Sequence, residues 1–108
     1  MSEIIHINEE LFREEVLEAE TPVLVDFSAV WCGPCKMLDP LIAELARAWG
    51  DKVKVVKVDI DNNPDLAIQY QVMGVPTLLM FVNGKPRERA VGYQPKKRLE
   101  ARFGPFVN

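Results

Sequence analysis

Two cysteines, Cys32 and Cys35, stand two residues apart in the stretch VWCGPCK, and the chain holds no others. Thiols at this spacing can supply half of a metal site, close a small covalent loop, or exchange electrons as a dithiol. A structural zinc takes about four ligands, usually Cys and His. The only histidine here is His6, which the pattern puts on a separate strand as a surface residue. A disulfide closing a four-residue loop contributes roughly 2 kcal/mol in the chain-entropy model, and a chain of 108 residues can bury a core without it. A reactive dithiol is the reading that remains.

The flanking residues suit that chemistry. Cys32 lies where an apolar run gives way to a helical pattern, so unpaired backbone N–H groups face its sulfur and favour the thiolate. The helix terminus alone lowers a thiol by about one pKa unit, since ~1.4 kcal/mol corresponds to one unit. Cys35 is one turn further along the same face, where it can form or break a bond to Cys32. One sulfur is then a nucleophile, and the other resolves the mixed disulfide it makes. Between them, Pro34 has the fixed φ of a first helical turn and needs no N–H there. Gly33 adds no side chain in the path of an approaching partner. Pro40 removes one hydrogen bond, to the carbonyl of Lys36, and a kink is expected there.

Alternating elements position this motif. IIHI (4–7) reads as a short strand and Asn8 as the N-cap of a helix over EELFREEVLEA, with acidic residues in its first turn. VLVDFSAV (23–30) is nearly continuous apolar, as a strand covered on both faces should be. Leu38, Leu41, Ile42, Leu45 and Trp49 then recur at helical spacing up to Gly50. VKVVKVDI (53–60) is the next strand, followed by a short helix with Asn63 as cap and Pro64 at its first position. TLLMFV (77–82) and RERAVG (87–92) flank Asn83-Gly84, the strongest short-range hairpin signal. A last amphipathic helix, about 96–103, stops at Gly104-Pro105. The order β-α-β-α-β-α-β-β-α, without repeat or linker, predicts one α/β domain over 1–108. Its mixed sheet combines right-handed parallel crossovers with a final antiparallel hairpin.

Composition narrows the function classes. With 48% apolar and 27% charged residues the chain has the balance of a globular protein. A net charge of −3 argues against a general nucleic-acid or anionic-membrane binder. The charge is uneven: residues 1–20 carry seven Glu against one Arg, and 85–108 carry seven Lys or Arg against two Glu. Two solvated faces, or a docking patch for an acidic partner, both fit that pattern. No apolar run approaches the ~20 residues that cross a bilayer. The opening MSEIIHINEE has neither a basic region nor a long apolar stretch, so no secretory leader is expected and the expected compartment is the cytoplasm.

VDFSAVWCGPCKMLDP, VDIDNNPDLAIQYQVMGVPTLLMFVNGK and VGY resemble the thioredoxin family in order and spacing over nearly the whole chain. The resemblance implies a five-stranded mixed β-sheet flanked by four α-helices, and a monomeric protein-disulfide reductase acting on disulfide-containing proteins. It also implies that no cofactor is bound. Electrons would come from NADPH through a flavin-containing thioredoxin reductase. Asp26 interrupts an apolar strand, and burial should raise its pKa. By resemblance it is the carboxylate that handles the Cys35 proton, through water, with Lys57 as its partner. A structural Asp bonded to nearby backbone is the alternative. Pro76 matches the family's cis-proline, which presents the Val75 backbone to an extended substrate and keeps metal ions from the thiols. Trp31, Gly74, Val75, Pro76 and Gly92 would form a flat rim around Cys32, joined by Tyr93, where the family often has a smaller residue.

Four features depart from the family pattern. Ser28 stands where many relatives have an aromatic residue, which leaves packing beside the active helix open. Val30 makes the approach to Trp31 more apolar. Asp39, one turn beyond Cys35, would raise that thiol's pKa unless Lys36 compensates, and Gly104-Pro105 ends the last helix early. Two other functions use the same residues: a dithiol oxidase or isomerase, and a non-redox binding subunit of a larger assembly.

Overall fold

The computed structural model describes residues 4–107. Residues 1–3 and 108, the ends of the expected 1–108 domain, lie outside the described residues. Among the described residues the elements follow in the expected order: β1 (Ile5–Ile7), α1 (Glu9–Phe12), β2 (Val23–Ser28), α2 (Gly33–Trp49), β3 (Lys54–Asp59), α3 (Pro64–Gln69), β4 (Thr77–Val82), β5 (Lys85–Val91) and α4 (Lys96–Phe103). The sheet order is β1-β3-β2-β4-β5. The first three strands are parallel, while β4 runs antiparallel to β2 and to β5. This is the five-stranded mixed sheet with four helices that the resemblance implied.

The apolar run of β2 is buried at all six positions because the strand is central and covered on both faces. Val23, Val25 and Phe27 pack with Phe12, Val16 and Leu66 from the side of α1 and α3. Leu24 packs with Leu38, Ile42, Leu45, Leu99 and Phe103 from the side of α2 and α4. Strand alternation therefore turns Asp26 towards the α2 side. At the sheet edge, β5 carries Lys85, Pro86, Arg87, Glu88 and Arg89, a charged and proline-bearing strand that discourages edge-to-edge pairing.

Local chemistry matches most element boundaries. Asn8 accepts from the Leu11 N–H at 3.0 Å, as an N-cap should. Asn83 and Gly84 both have positive φ, 53° and 78°, which is the turn that suits a two-residue hairpin. Two details differ from expectation. The first helix is α-helical only to Phe12 and widens into a π-helical turn over Arg13–Leu17, where Lys54 Nζ donates to the Glu15 carbonyl at 3.0 Å. Asn63 precedes α3 but caps no α3 amide. Its Oδ1 accepts from the Glu9 N–H and its Nδ2 donates to the Asp59 carbonyl, each at 3.0 Å, tying α1 to the end of β3. Pro40 lies inside α2, within one helix from Gly33 to Trp49.

Candidate active site

The site forms where β2 ends and α2 begins. Cys32 is the N-cap of α2, with extended backbone (φ −90°, ψ 109°), and Pro34 occupies the first turn where a missing N–H costs nothing. A serine or aspartate normally caps such an end through oxygen. Here the Cys32 sulfur takes that place and accepts from the Cys35 N–H at 3.2 Å. The two sulfurs are bonded to each other, with the Cα atoms 5.3 Å apart. Both cysteines are buried, 3% exposed, and packed with Ala29, Ile60 and Val75. Burial therefore does not distinguish the two sulfurs; the capping position does.

Across from Cys32 runs the loop before β4. Val75-Pro76 is a cis peptide, and the Val75 carbonyl oxygen lies 3.7 Å from Cys32 Sγ. Thr77 Oγ1 donates to the Gly74 carbonyl at 2.6 Å, and the Gly92 N–H donates to the Pro76 carbonyl at 2.8 Å. These bonds tie Gly74 and Gly92 to the loop whose Val75 carbonyl lies against Cys32. A side chain at Gly33 or Gly74 would meet nothing within 4 Å, so both positions front open space. Trp31 is 65% exposed, with its indole N–H held by Asp61 Oδ2 at 2.7 Å. Tyr93 is exposed as well. Sequence reasoning passed over three neighbours. Asp61 orients the indole, and Met73 and Val91, both exposed, line a depression with Gly74. Adjacency to Gly74 and Gly92 in the chain was the available signal for the last two.

Asp26 is 2% exposed and in register with Lys57 on β3 and Leu78 on β4. Its Oδ1 has no hydrogen-bond partner, which removes the reading of a structural Asp tied to backbone through that atom. Burial pushes the carboxyl up to about 7; the Lys57 charge pulls it down and the Asp39 charge pushes it up. Lys57, the partner that the resemblance implied for Asp26, tempers the upward shift by its charge. Lys57 Nζ sits 2.7 Å from Asp39 Oδ1, so the lysine acts on Asp26 through space while bonded to another carboxylate. The cation bonded to Asp39 is thus Lys57. Ser28 is buried, and the space beside it stays open as a cleft of about 410 Å³ bordered also by Cys35, Lys36, Asp39, Lys57 and Asp59. Val30, 73% exposed, stands at its mouth. His6, exposed on β1, also borders the cleft. Among the described residues no group of three or more His, Cys, Asp or Glu could hold a metal ion.

The sequence is similar to those of known proteins. The family model described as Thioredoxin matches residues 3–103. A thioredoxin of Alicyclobacillus acidocaldarius subsp. acidocaldarius is 46% identical over 94 residues, covering 87% of this chain and 90% of that protein. One of Rickettsia typhi is 50% identical over 88 residues, or 82% of this chain and 84% of the relative. The chloroplastic M-type thioredoxin of Spinacia oleracea is 43% identical over 99 residues, 92% of this chain but 55% of that longer protein. A vicinal pair of sulfurs bonded at a helix start, within a sequence so widely shared, leaves one conclusion: the chain belongs to the thioredoxin family and is a thiol–disulfide oxidoreductase.

Proposed function

We propose that the chain acts as a monomeric, single-domain reductase of protein disulfides in the cytoplasm, recharged by NADPH through a flavin-containing thioredoxin reductase. The observation that carries this reading is the Cys32 sulfur in the capping position, accepting the Cys35 N–H at 3.2 Å and bonded to the sulfur one turn away. In the reduced protein the same amide stabilises Cys32 as a thiolate. That thiolate attacks one sulfur of a target disulfide, and the other target sulfur leaves and takes up a proton. Asp26 accepts the Cys35 proton through water. The Cys35 thiolate then attacks Cys32 Sγ, which breaks the mixed disulfide, frees the second target thiol and re-forms the Cys32–Cys35 bond. A carboxyl near 7 is well matched to this task, because a base works best when its pKa lies near the working pH.

The rim supports a protein substrate. Gly33 and Gly74 leave room for another backbone, and exposed Trp31 offers aromatic contact area. The Val75 carbonyl beside Cys32 Sγ and the cis Pro76 after it suit an extended segment laid across the sulfur. Insulin reduction driven by dithiothreitol tests the assignment. Cys32→Ser should abolish turnover, and Cys35→Ser should accumulate a mixed disulfide through Cys32, visible as added mass on non-reducing analysis. Turnover that survives Cys32→Ser would refute the reading.

A further inference from the structure

One ion pair on the proton-handling side joins two elements. Asp39 lies on α2 one turn beyond Cys35, so the two share a helix face. Lys57 lies on β3 directly beside Asp26 on β2, in a parallel register that sends both side chains to the α2 side. A buried carboxylate with an ammonium in reach ordinarily takes it as partner, because an uncompensated charge in the interior is costly. The opposite arrangement holds here: Lys57 Nζ is 2.7 Å from Asp39 Oδ1, and Asp26 Oδ1 is left alone. Asp39 is 43% exposed and Lys57 19%, against 2% for Asp26, so the ammonium is drawn towards solvent. A lysine carries one compact charge on a flexible stem and cannot serve both carboxylates equally.

The other charged or titratable groups on this side are few. β3 adds Asp59, β1 adds His6 opposite Lys57, and α2 adds Cys35 and Lys36, while β4 faces Asp26 with Leu78. Asp59 is occupied by the Asp61 N–H at 2.8 Å. Beside the effect of its burial, Lys57 and Asp39 are the charges that act most on Asp26.

We propose that Asp39 is a positioning residue for the resolving step: by holding the Lys57 ammonium it keeps Asp26 without a cationic partner, and so sets the pH at which Asp26 accepts the Cys35 proton. This rests on the reading of Asp26 as the base for Cys35. In the absence of the Asp39 carboxylate the ammonium turns to Asp26, favours its charged form, and moves its titration to lower pH.

The test follows the Asp26 carboxyl by 13C NMR across pH in the full-length protein, together with the pH profile of insulin reduction. Asp39→Asn should move the Asp26 midpoint down by about half a pH unit or more, so that below the native midpoint the carboxylate fraction and the rate rise roughly threefold. Asp39→Glu, which keeps a carboxylate, should restore most of the native midpoint. Loss of the Asp39 charge alone also lowers the midpoint, so the same substitution is made in a Lys57→Met background, where only that smaller direct shift should remain. An equal shift in both backgrounds, or none in either, overturns the proposal. A midpoint that moves while the rate profile stays fixed also overturns it, and in addition removes Asp26 from the base role. An unmoved midpoint with an Asp26-dependent rate profile leaves the base role standing and rejects only Asp39.

Discussion

Asp26 shows how one residue ties stability to chemistry. Its folded carboxyl titrates near 7 against 3.8 in the absence of burial, so the folded protein holds a proton there that the unfolded chain releases. Between those values stability falls as pH rises, and above about 7 the charged, buried form carries the full cost. Asp26→Asn should therefore stabilise the protein above pH 7, by a few kcal/mol, and leave it nearly unchanged at pH 4. Urea melts at the two pH values check both the gain and its disappearance; a gain independent of pH would contradict the origin in desolvation. The sequence made Asp26 legible, since a carboxylate inside an apolar strand stands out from its neighbours. The partner of Lys57 was not legible. Whether an ammonium reaches Asp26 or Asp39 depends on where α2 crosses β3, and residue spacing carries no information on that.

Elements were legible to the extent that local chemistry decided them. Asn83-Gly84 forms the expected turn, and the fold places a further demand on it. A Cβ at Gly84 would lie 2.7 Å from the Leu17 carbonyl oxygen, and the residue's φ is 78°. Gly84→Ala should cost about 1–3 kcal/mol from the left-handed backbone and the displaced carbonyl together. A lowered urea midpoint with an unchanged slope is the expected readout, and an unchanged midpoint would show that the turn relaxes freely. The π-helical turn over Arg13–Leu17 lay beyond the sequence, because the periodic pattern of its side chains is that of an ordinary helix. A tertiary contact accompanies it, the Lys54 ammonium at the Glu15 carbonyl. Asn63 is a similar case. Its type and place before Pro64 marked a cap, but its amide instead joins Glu9 to Asp59, a contact between residues far apart in the chain.

At the scale of the whole molecule, the sheet serves the cysteine pair twice. The central position of β2 buries Asp26 in the strand that leads to the dithiol, and the antiparallel return of β4 brings the Val75 carbonyl to within 3.7 Å of Cys32 Sγ. The order of elements and the active-site motif were both readable, since apolar runs, caps and the hairpin turn are local signals. The open cleft beside Ser28 was not, because it reflects what neighbouring side chains fail to fill. The central claim is that the start of α2 makes Cys32 the acidic sulfur, and the rate of alkylation of the reduced protein across pH tests it most directly. Iodoacetamide should modify Cys32 first, with a midpoint about one unit or more below the ~8.5 of a free cysteine. A midpoint at the free value, or faster modification of Cys35, would contradict the account.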